Sequence, residues 1–188
     1  GRALLRQIET ETGVEKIQLI QAEAQLLREA GRFQDAYAVL SQALSQTPDS
    51  SELLYDRAMV AERLDKLDVL ETDLRRLIKL EPEHAHAYNA LGYTLVDRTR
   101  RLDEGIALLE QALKLSPDDP FILDSMGWAQ FRAKRLDLAV GYLRRAYGLR
   151  TDPEIAAHLG EALWSNGQRD EARKDYEDAG IIRRPDYL

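Results

Sequence analysis

Residues 85–119 decide the fold, and they read AHAYNALGYTLVDRTRRLDEGIALLEQALKLSPDD. The segment contains two amphipathic helical patterns, a short turn between them and a proline near its end. The same pattern returns along the chain about every 34 residues, a period typical of stacked helical hairpins. The sequence therefore predicts a helical repeat protein.

Columns of equivalent residues define the period. Prolines close three copies, at Pro48, Pro82 and Pro117, and Thr151 holds the place of a fourth. Two columns in the second helix of each copy read Ala36, Leu70, Gly105, Ala139, Ala172 and Ala43, Leu77, Ala112, Ala146, Ala179. A column in the first helix reads Ala24, Ala58, Gly92, Gly127, Gly160. Small residues in both helices predict a close crossing of the two.

The period, together with Leu91-Gly92-Tyr93, Gly31-Arg32-Phe33 and the closing prolines, resembles the tetratricopeptide repeat. The resemblance implies an all-α, right-handed α-solenoid of about five repeats, in which each copy has a helix A and a helix B. The predicted copies are 17–50, 51–84, 85–119, 120–152 and 153–184, with 1–16 as the remnant of a preceding repeat helix and 185–188 as a C-terminal tail.

Capping signals agree with this register. Gly31 and Asn166-Gly167 predict the ends of two A helices, because glycine adopts the left-handed conformation without a Cβ clash. Asp119-Pro120 and Asp152-Pro153 predict helix starts, with the acid as the cap and proline at the first helical position. The third copy carries one extra residue, which we expect in an exposed basic turn at residues 98–101 or, alternatively, in a small contact patch for an acidic partner.

Some positions are expected to fill the space between helices, and some depart from the pattern. The expected core residues include Leu27, Leu40, Leu74, Tyr88, Leu95, Leu109, Leu143, Leu163 and Tyr176. Leu70 and Leu77 stand where alanine is usual, which predicts that the two helices of the second copy lie farther apart than those of the other copies. Gln130 stands at an apolar position, which suggests that helix A of the fourth copy is rotated.

Composition limits the function classes. The net charge is −7, so nothing provides the basic stripe that nucleic-acid binding needs. There is no cysteine, which excludes disulfides, thiolate catalysis and cysteine zinc sites. No apolar run is long enough for a membrane span. Because the sequence starts at Gly1, we expect a fragment of a longer protein that can carry a targeting signal or a lipid anchor.

No catalytic or metal-binding constellation stands out, so we expect no enzyme activity and no cofactor. His84 and His86 form the closest histidine pair, but residues two apart do not share a helix face. His158 lies four residues after Glu154, which predicts an ion pair within one helix.

The resemblance implies where a partner binds. In the family, positions 2, 5, 9, 12 and 13 of helix A face the inner groove, and here they include Val96 and Asp97. The candidate partner-binding residues among them are Tyr55, Met59, Asn89, Tyr93, Asp124, Trp128, Phe131, Arg132, Glu161 and Trp164. Chaperone-binding members use lysines and asparagines at these positions, whereas this chain offers only Asn89 and no lysine.

The candidate groove becomes aromatic toward the C-terminal copies, through Tyr93, Trp128, Phe131 and Trp164. Large amphipathic side chains at exposed positions are typical of binding hot spots. The alternative is that Trp128 and Phe131 pack in the core, which the polar Gln130 beside them leaves open.

Residues 89–95, 122–128 and 152–161 resemble the C-terminal repeats of Gram-negative bacterial members of this family. Some of those are envelope lipoproteins, including an adaptor that brings a carboxy-terminal processing protease to cell-wall hydrolases. The resemblance implies a non-catalytic scaffold or adaptor for a protein or peptide, placed in the periplasm or at the inner face of the outer membrane, with the cytoplasm as the alternative. The rival hypothesis is a self-associating assembly protein, a homo-oligomer whose repeats pair with copies of themselves.

Overall fold

A computed structural model describes the backbone of residues 2–178 and the side chains of residues 14–173. Within these residues the chain is helical apart from short turns, and no strand occurs. The chain divides into two compact units, Gly1–Pro82 and Glu83–Leu188.

The first unit consists of two helical hairpins. Helix α1 packs on α2, α3 packs on α4, and α3 also contacts both α1 and α2. Helix α1 continues without a break through the residues expected to belong to a preceding repeat. The bounds are α1 Arg2–Glu29, α2 Phe33–Gln46, α3 Ser51–Arg63 and α4 Leu67–Leu80.

The second unit consists of three hairpins. Their A helices, α5, α7 and α9, contact one another in sequence, and each B helix contacts the A helix that follows it. The bounds are α5 Ala85–Arg98, α6 Leu102–Leu115, α7 Pro120–Arg132, α8 Leu136–Leu149, α9 Pro153–Ser165 and α10 Arg169–Asp178. The all-α class and the pairing of consecutive helices are confirmed.

Close helix crossings occur where the sequence places glycine. A Cβ atom added at Gly127 would lie 2.5 Å from Leu143 Cγ and 3.3 Å from the carbonyl oxygen of Ala139, both on α8. One added at Gly92 would lie 2.9 Å from the carbonyl oxygen of Gly105 on α6. The helices therefore approach each other at a distance that larger residues do not permit.

Left-handed residues end four A helices. Gly31 (φ 72°) and Gly167 (φ 83°) do so as predicted, whereas Asp65 (φ 58°) and Lys134 (φ 62°) do so without a glycine. The third copy turns differently, because its extra residue lengthens α5 rather than the loop. There the Thr99 hydroxyl donates to the Leu95 carbonyl at 2.6 Å and accepts from the Arg101 N–H at 3.0 Å.

Most expected core residues are buried. Leu40, Leu74, Leu95, Leu109, Leu143 and Leu163 are at most 2% exposed. Leu27 and Tyr88 are half-buried, and Tyr176 lies outside the described side chains. Leu70 and Leu77 of the second copy are fully buried.

Gln130 is buried at the position that Leu95 and Leu163 occupy in the neighbouring copies. Its amide donates to Met126 Sδ at 3.2 Å and accepts from Arg135 at 3.3 Å. The rotation of α7 that we inferred from its polarity is therefore wrong, because the side chain is satisfied in place by hydrogen bonds.

A bidentate ion pair joins α3 to α4 in the first unit. Arg57 donates to the two carboxylate oxygens of Asp73 at 2.7 and 2.8 Å. The Asp73 side chain is only 2% exposed. A buried carboxylate requires such a partner, since an isolated buried charge is strongly unfavourable.

No helix within the described residues combines the length and the apolar character that crossing a bilayer would require.

Replacing Gly127 by alanine should lower the free energy of unfolding by about 1–3 kcal/mol, because the new methyl group must displace Leu143. Urea denaturation followed by helical circular dichroism measures the change. The matched control is Gly141→Ala on α8, where nothing lies within 4 Å of the added carbon. That substitution should stabilise by about 0.5–1 kcal/mol through helix propensity. Equal effects of the two substitutions would contradict the crossing geometry.

Candidate protein-binding surface

The candidate surface lies on the second unit, where α5, α7 and α9 stand side by side. We call the solvent-facing side chains of these three helices the A-helix face. Each helix contributes about one side chain per turn to this face. Because the three helices are equivalent elements of successive repeats, side chains one repeat apart become neighbours across the face. The described contacts connect all three helices across the face.

Trp128 on α7 occupies the middle of the A-helix face. Its indole N–H donates to Asp97 Oδ1 on α5 at 3.1 Å. Its ring stacks on Phe131, with centroids 5.0 Å apart, and on the His158 ring of α9, with centroids 4.5 Å apart. The tryptophan is half-buried and is held by contacts with both neighbouring helices.

Asp97 also holds Arg132. The guanidinium of Arg132 donates to the same Asp97 Oδ1 at 3.1 Å, so this oxygen accepts from both a tryptophan and an arginine. The Arg132 side chain remains 39% exposed. This arrangement fixes one end of the guanidinium while the rest of it stays available to solvent.

His158 and Asp124 form the second link, between α9 and α7. Nδ1 of His158 lies 3.0 Å from each carboxylate oxygen of Asp124, and both side chains are nearly buried. The expected ion pair between His158 and Glu154 is therefore wrong in its partner. The Asp124 carboxylate, one repeat earlier in the chain, lies closer to the His158 ring than the Glu154 carboxylate, which is one turn away on α9.

The pKa of His158 is raised above its usual value of 6.5. Burial opposes the charged ring, but the hydrogen bond and the charge of Asp124 outweigh that effect. The carboxylates of Glu154 and Glu161 act in the same direction. A protonated His158 also stacks on Trp128 as a cation on an aromatic ring, which favours the charged form further.

The ten candidate residues are divided between the two units. Tyr55 and Met59 lie half-buried on α3 of the first unit. Burial, with the charges of Asp56 and Glu62 beside it, raises the pKa of the Tyr55 hydroxyl. The other eight lie on the second unit: Asn89, Tyr93, Asp124, Trp128, Phe131, Arg132, Glu161 and Trp164.

These eight differ in what they offer to a partner. Trp164 is 48% exposed, with the guanidinium of Arg169 5.4 Å from its ring centroid. Glu161 and Arg132 are exposed, whereas Tyr93 and Phe131 are half-buried. Asp124 is 7% exposed, so it acts by holding His158 rather than by direct contact.

Two further A-helix positions, Val96 and Asn89, differ in burial from what a groove position requires. Val96, which the family positions assign to the groove, is 1% exposed and packs with Met126 and Ile106, so that assignment is wrong. Asn89 is half-buried, and its Oδ1 atom is buried without a hydrogen-bond partner. Such an acceptor is an uncommon feature in a folded protein.

Sequence reasoning missed the roles of Asp97 and His158. The signal for both was present in their spacing, since Asp97 and Arg132 are 35 residues apart and Asp124 and His158 are 34 apart. Complementary side chains one repeat apart on A helices become neighbours.

His84 and His86 contact different groups. His84 caps α5, and its Nδ1 accepts from the Ala87 N–H at 3.1 Å. Nε2 of His86 lies 3.7 Å from a carboxylate oxygen of Asp119. Among the side chains that the structure describes, no group of three potential ligands is placed to hold a metal ion.

Family models named tetratricopeptide repeat match residues 22–69, 71–120 and 153–179. The chain belongs to the tetratricopeptide repeat family. Residues 121–152, between the matched ranges, fold into α7 and α8 as one more hairpin of the same kind.

One curated relative is the TPR repeat-containing protein PA4667 of Pseudomonas aeruginosa, which is 48% identical over 145 residues. The match covers 77% of this chain and 25% of the relative, so the chain spans about a quarter of that protein's length.

Two solved structures share the fold. PilW, described as a widely conserved type IV pilus biogenesis factor, is 21% identical with a TM-score of 0.79, over 88% of this chain and 78% of PilW. TTC0263, a TPR protein of Thermus thermophilus, is 23% identical with a TM-score of 0.78, over 90% of this chain and 92% of that protein.

The His158–Asp124 link predicts a pH-dependent contribution to stability. Because the folded-state pKa of His158 is raised, its contribution is fully present below about pH 6.5 and is lost as the pH rises through the raised value. His158→Gln should therefore cost about 1–3 kcal/mol near pH 6 and progressively less at higher pH. Urea denaturation of the two proteins between about pH 5.5 and pH 9 measures the difference.

The control is the same substitution made in an Asp124→Asn background, where the pH dependence of the difference should shrink. A difference that grows with rising pH would contradict the assigned link.

Proposed function

We propose that this chain is a non-catalytic scaffold that holds a protein or peptide partner on the A-helix face. The observation that supports this most directly is the exposure of Trp164, which lies on α9, the helix that also carries His158. A large aromatic ring that stays half in solvent while its neighbours are held in place is typical of a binding anchor.

The chemistry of the face favours a particular kind of partner segment. Glu154 and Glu161 are exposed on α9, one on each side of His158 along the helix. Trp164 follows them on the same helix. A segment with an apolar or aromatic anchor and a nearby basic residue would meet both the ring and the carboxylates.

Preorganisation supports binding at this place. Trp128, Arg132 and His158 are fixed by Asp97 and Asp124, so little side-chain freedom would be lost when a partner docks. Each of these features lies on α5, α7 or α9.

The finer proposal concerns where the protein works. We propose that the partner is an envelope protein, such as a carboxy-terminal processing protease, and that the longer protein acts in the periplasm with a lipid anchor. This proposal rests on the resemblance of residues 89–95, 122–128 and 152–161 to envelope members of the family, and on the bacterial source of one curated relative. Fractionation of cells that produce the natural gene product would test it, because release in the cytosolic fraction contradicts an envelope location.

Truncating Trp164 to alanine should weaken partner binding by about 2 kcal/mol or more, roughly a thirtyfold rise in Kd, as the loss of an aromatic anchor commonly does. Peptides selected from a random library on the wild-type chain supply the ligand, and calorimetry measures the affinity. The free energy of unfolding should change little, because about half of the ring is already in solvent.

The matched control is Leu149→Ala, which removes an equally exposed apolar side chain from α8, away from the A-helix face. It should leave the affinity unchanged. Trp128→Ala should instead lower stability by about 3–5 kcal/mol, because its ring packs against the core cluster of Met126 and Ala129. Selected peptides that bind Trp164→Ala as tightly as the wild type would contradict the proposed face.

A further inference from the structure

Lys134 occupies a position in the turn between α7 and α8 where glycine would fold more easily. Its backbone is left-handed, with φ 62°, and at the same turn of the first and fifth copies this conformation is adopted by Gly31 and Gly167. A residue with a Cβ atom is strained in this conformation, and lysine has no short polar group that would offset the strain. The turn therefore keeps a cation at the expense of backbone strain.

Gln130 is a second unfavourable residue, and it holds an arginine of the same turn. It is 5% exposed, at the position that Leu95 and Leu163 occupy in the neighbouring copies. A buried amide is tolerated only when its hydrogen bonds are made, and its Oε1 accepts from the Arg135 guanidinium at 3.3 Å. The buried glutamine therefore holds a surface arginine, which leucine could not do.

Arg135 lacks the acidic partner that an equivalent arginine has. Arg101 stands at the same place before α6, and its guanidinium lies 2.8 Å from a carboxylate oxygen of Glu104, three residues later. Three residues after Arg135 stands Leu138, which is 54% exposed. Among the residues that the structure describes, no carboxylate forms an ion pair with Arg135.

The turn between α5 and α6 lies beside this one and adds further cations. Asp97 at the end of α5 accepts from Arg132 at the end of α7. Leu102 at the start of α6 and Ala133 after α7 pack on the same core cluster. The α5–α6 turn carries three exposed arginines. We call the six cations of the two turns the turn patch: Arg98, Arg100, Arg101, Arg132, Lys134 and Arg135.

We propose that the turn patch binds an acidic segment of a partner protein, with Leu138 as an apolar contact at its edge. The whole chain carries a net charge of −7, so most of its surface repels such a segment and the patch attracts it. Asp103 and Asp137, in the first turns of α6 and α8, confine the patch to the turns. A continuous phosphate backbone, which needs a longer basic surface, therefore fits less well.

The side chains of the patch are partly preorganised. Arg101, Arg132 and Arg135 each have one end of the guanidinium held by a neighbouring side chain. They would lose less freedom than unrestrained arginines when carboxylates bind. Arg100 and Lys134 form no ion pair within the described part of the chain, so their charges are not balanced locally. The patch does not include Trp164, and the proposal goes beyond the function proposed for the A-helix face.

Fluorescence anisotropy with a labelled peptide of several glutamates and one leucine tests the proposal. The wild type should bind the peptide at low salt, and Kd should rise with added salt because exposed charges are screened. The double variant Arg100→Gln, Lys134→Gln should raise Kd about tenfold. The matched control Lys79→Gln, Lys114→Gln removes the same charge from exposed lysines in the last turns of α4 and α6 and should leave Kd unchanged.

Two further variants separate binding from folding. Lys134→Gly relieves the left-handed strain, and Gln130→Leu restores the apolar residue of the neighbouring copies, so both should keep or raise the free energy of unfolding. Each should nevertheless weaken peptide binding several-fold, because the first removes a cation and the second releases Arg135. Asp65→Gly makes the same backbone change in the first unit and should leave Kd unchanged. Lower stability of the Lys134 and Gln130 variants with an unchanged Kd would contradict the proposal.

Three other results would overturn the assignment of the patch. An equal loss of binding in the Lys79, Lys114 control would show a response to net charge alone. Equal binding of a peptide with glutamine in place of every glutamate would show apolar contact alone. Tighter binding of a single-stranded DNA of equal charge would assign the patch to nucleic acid. Trp164→Ala should not change the Kd of this peptide, so failure of the turn patch and failure of the A-helix face are distinguishable.

Discussion

Close crossing of two helices at glycine or alanine is the constraint on which the rest of the second unit depends. At Gly92 and Gly127 the backbones meet at distances that leave no room for a side chain. The crossing fixes the rotation of each A helix about its own axis, and the rotation decides which side chains reach solvent. The placement of Trp128 at the surface and of Gln130 in the interior, two residues apart, is a direct consequence.

The hairpins could be predicted from sequence because their determinants are local. Aspartate and proline start α7 and α9, and glycine ends α1 and α9. Each of these signals acts on the backbone within a few residues of itself. Asp65 and Lys134 adopt the left-handed conformation with no sequence signal that marks it. The extra residue of the third copy was expected in a loop, but the Thr99 hydroxyl permits one more helical residue instead.

The candidate surface was less predictable, because it depends on contacts between helices one repeat apart. The family's fixed positions assign both Val96 and Trp164 to the groove. Val96 is a core residue, however, whereas about half of the Trp164 side chain is exposed to solvent. His158 was paired with the acid on its own helix, whereas packing brings the Asp124 carboxylate closer. Trp128 belongs partly to the core and partly to the surface. Part of its ring packs against Met126 and Ala129, while its indole N–H donates to the Asp97 carboxylate on the A-helix face.

The pair formed by Arg57 and Asp73 restricts how the first unit can change over evolutionary time. Loss of the arginine would leave a carboxylate buried without its partner, and loss of the aspartate would leave a partly buried guanidinium without its acceptor. Either single replacement is therefore worse than replacing both with apolar residues of similar volume. Among related sequences the two positions should vary together, passing from a charged pair to an apolar pair and rarely through a mixed one.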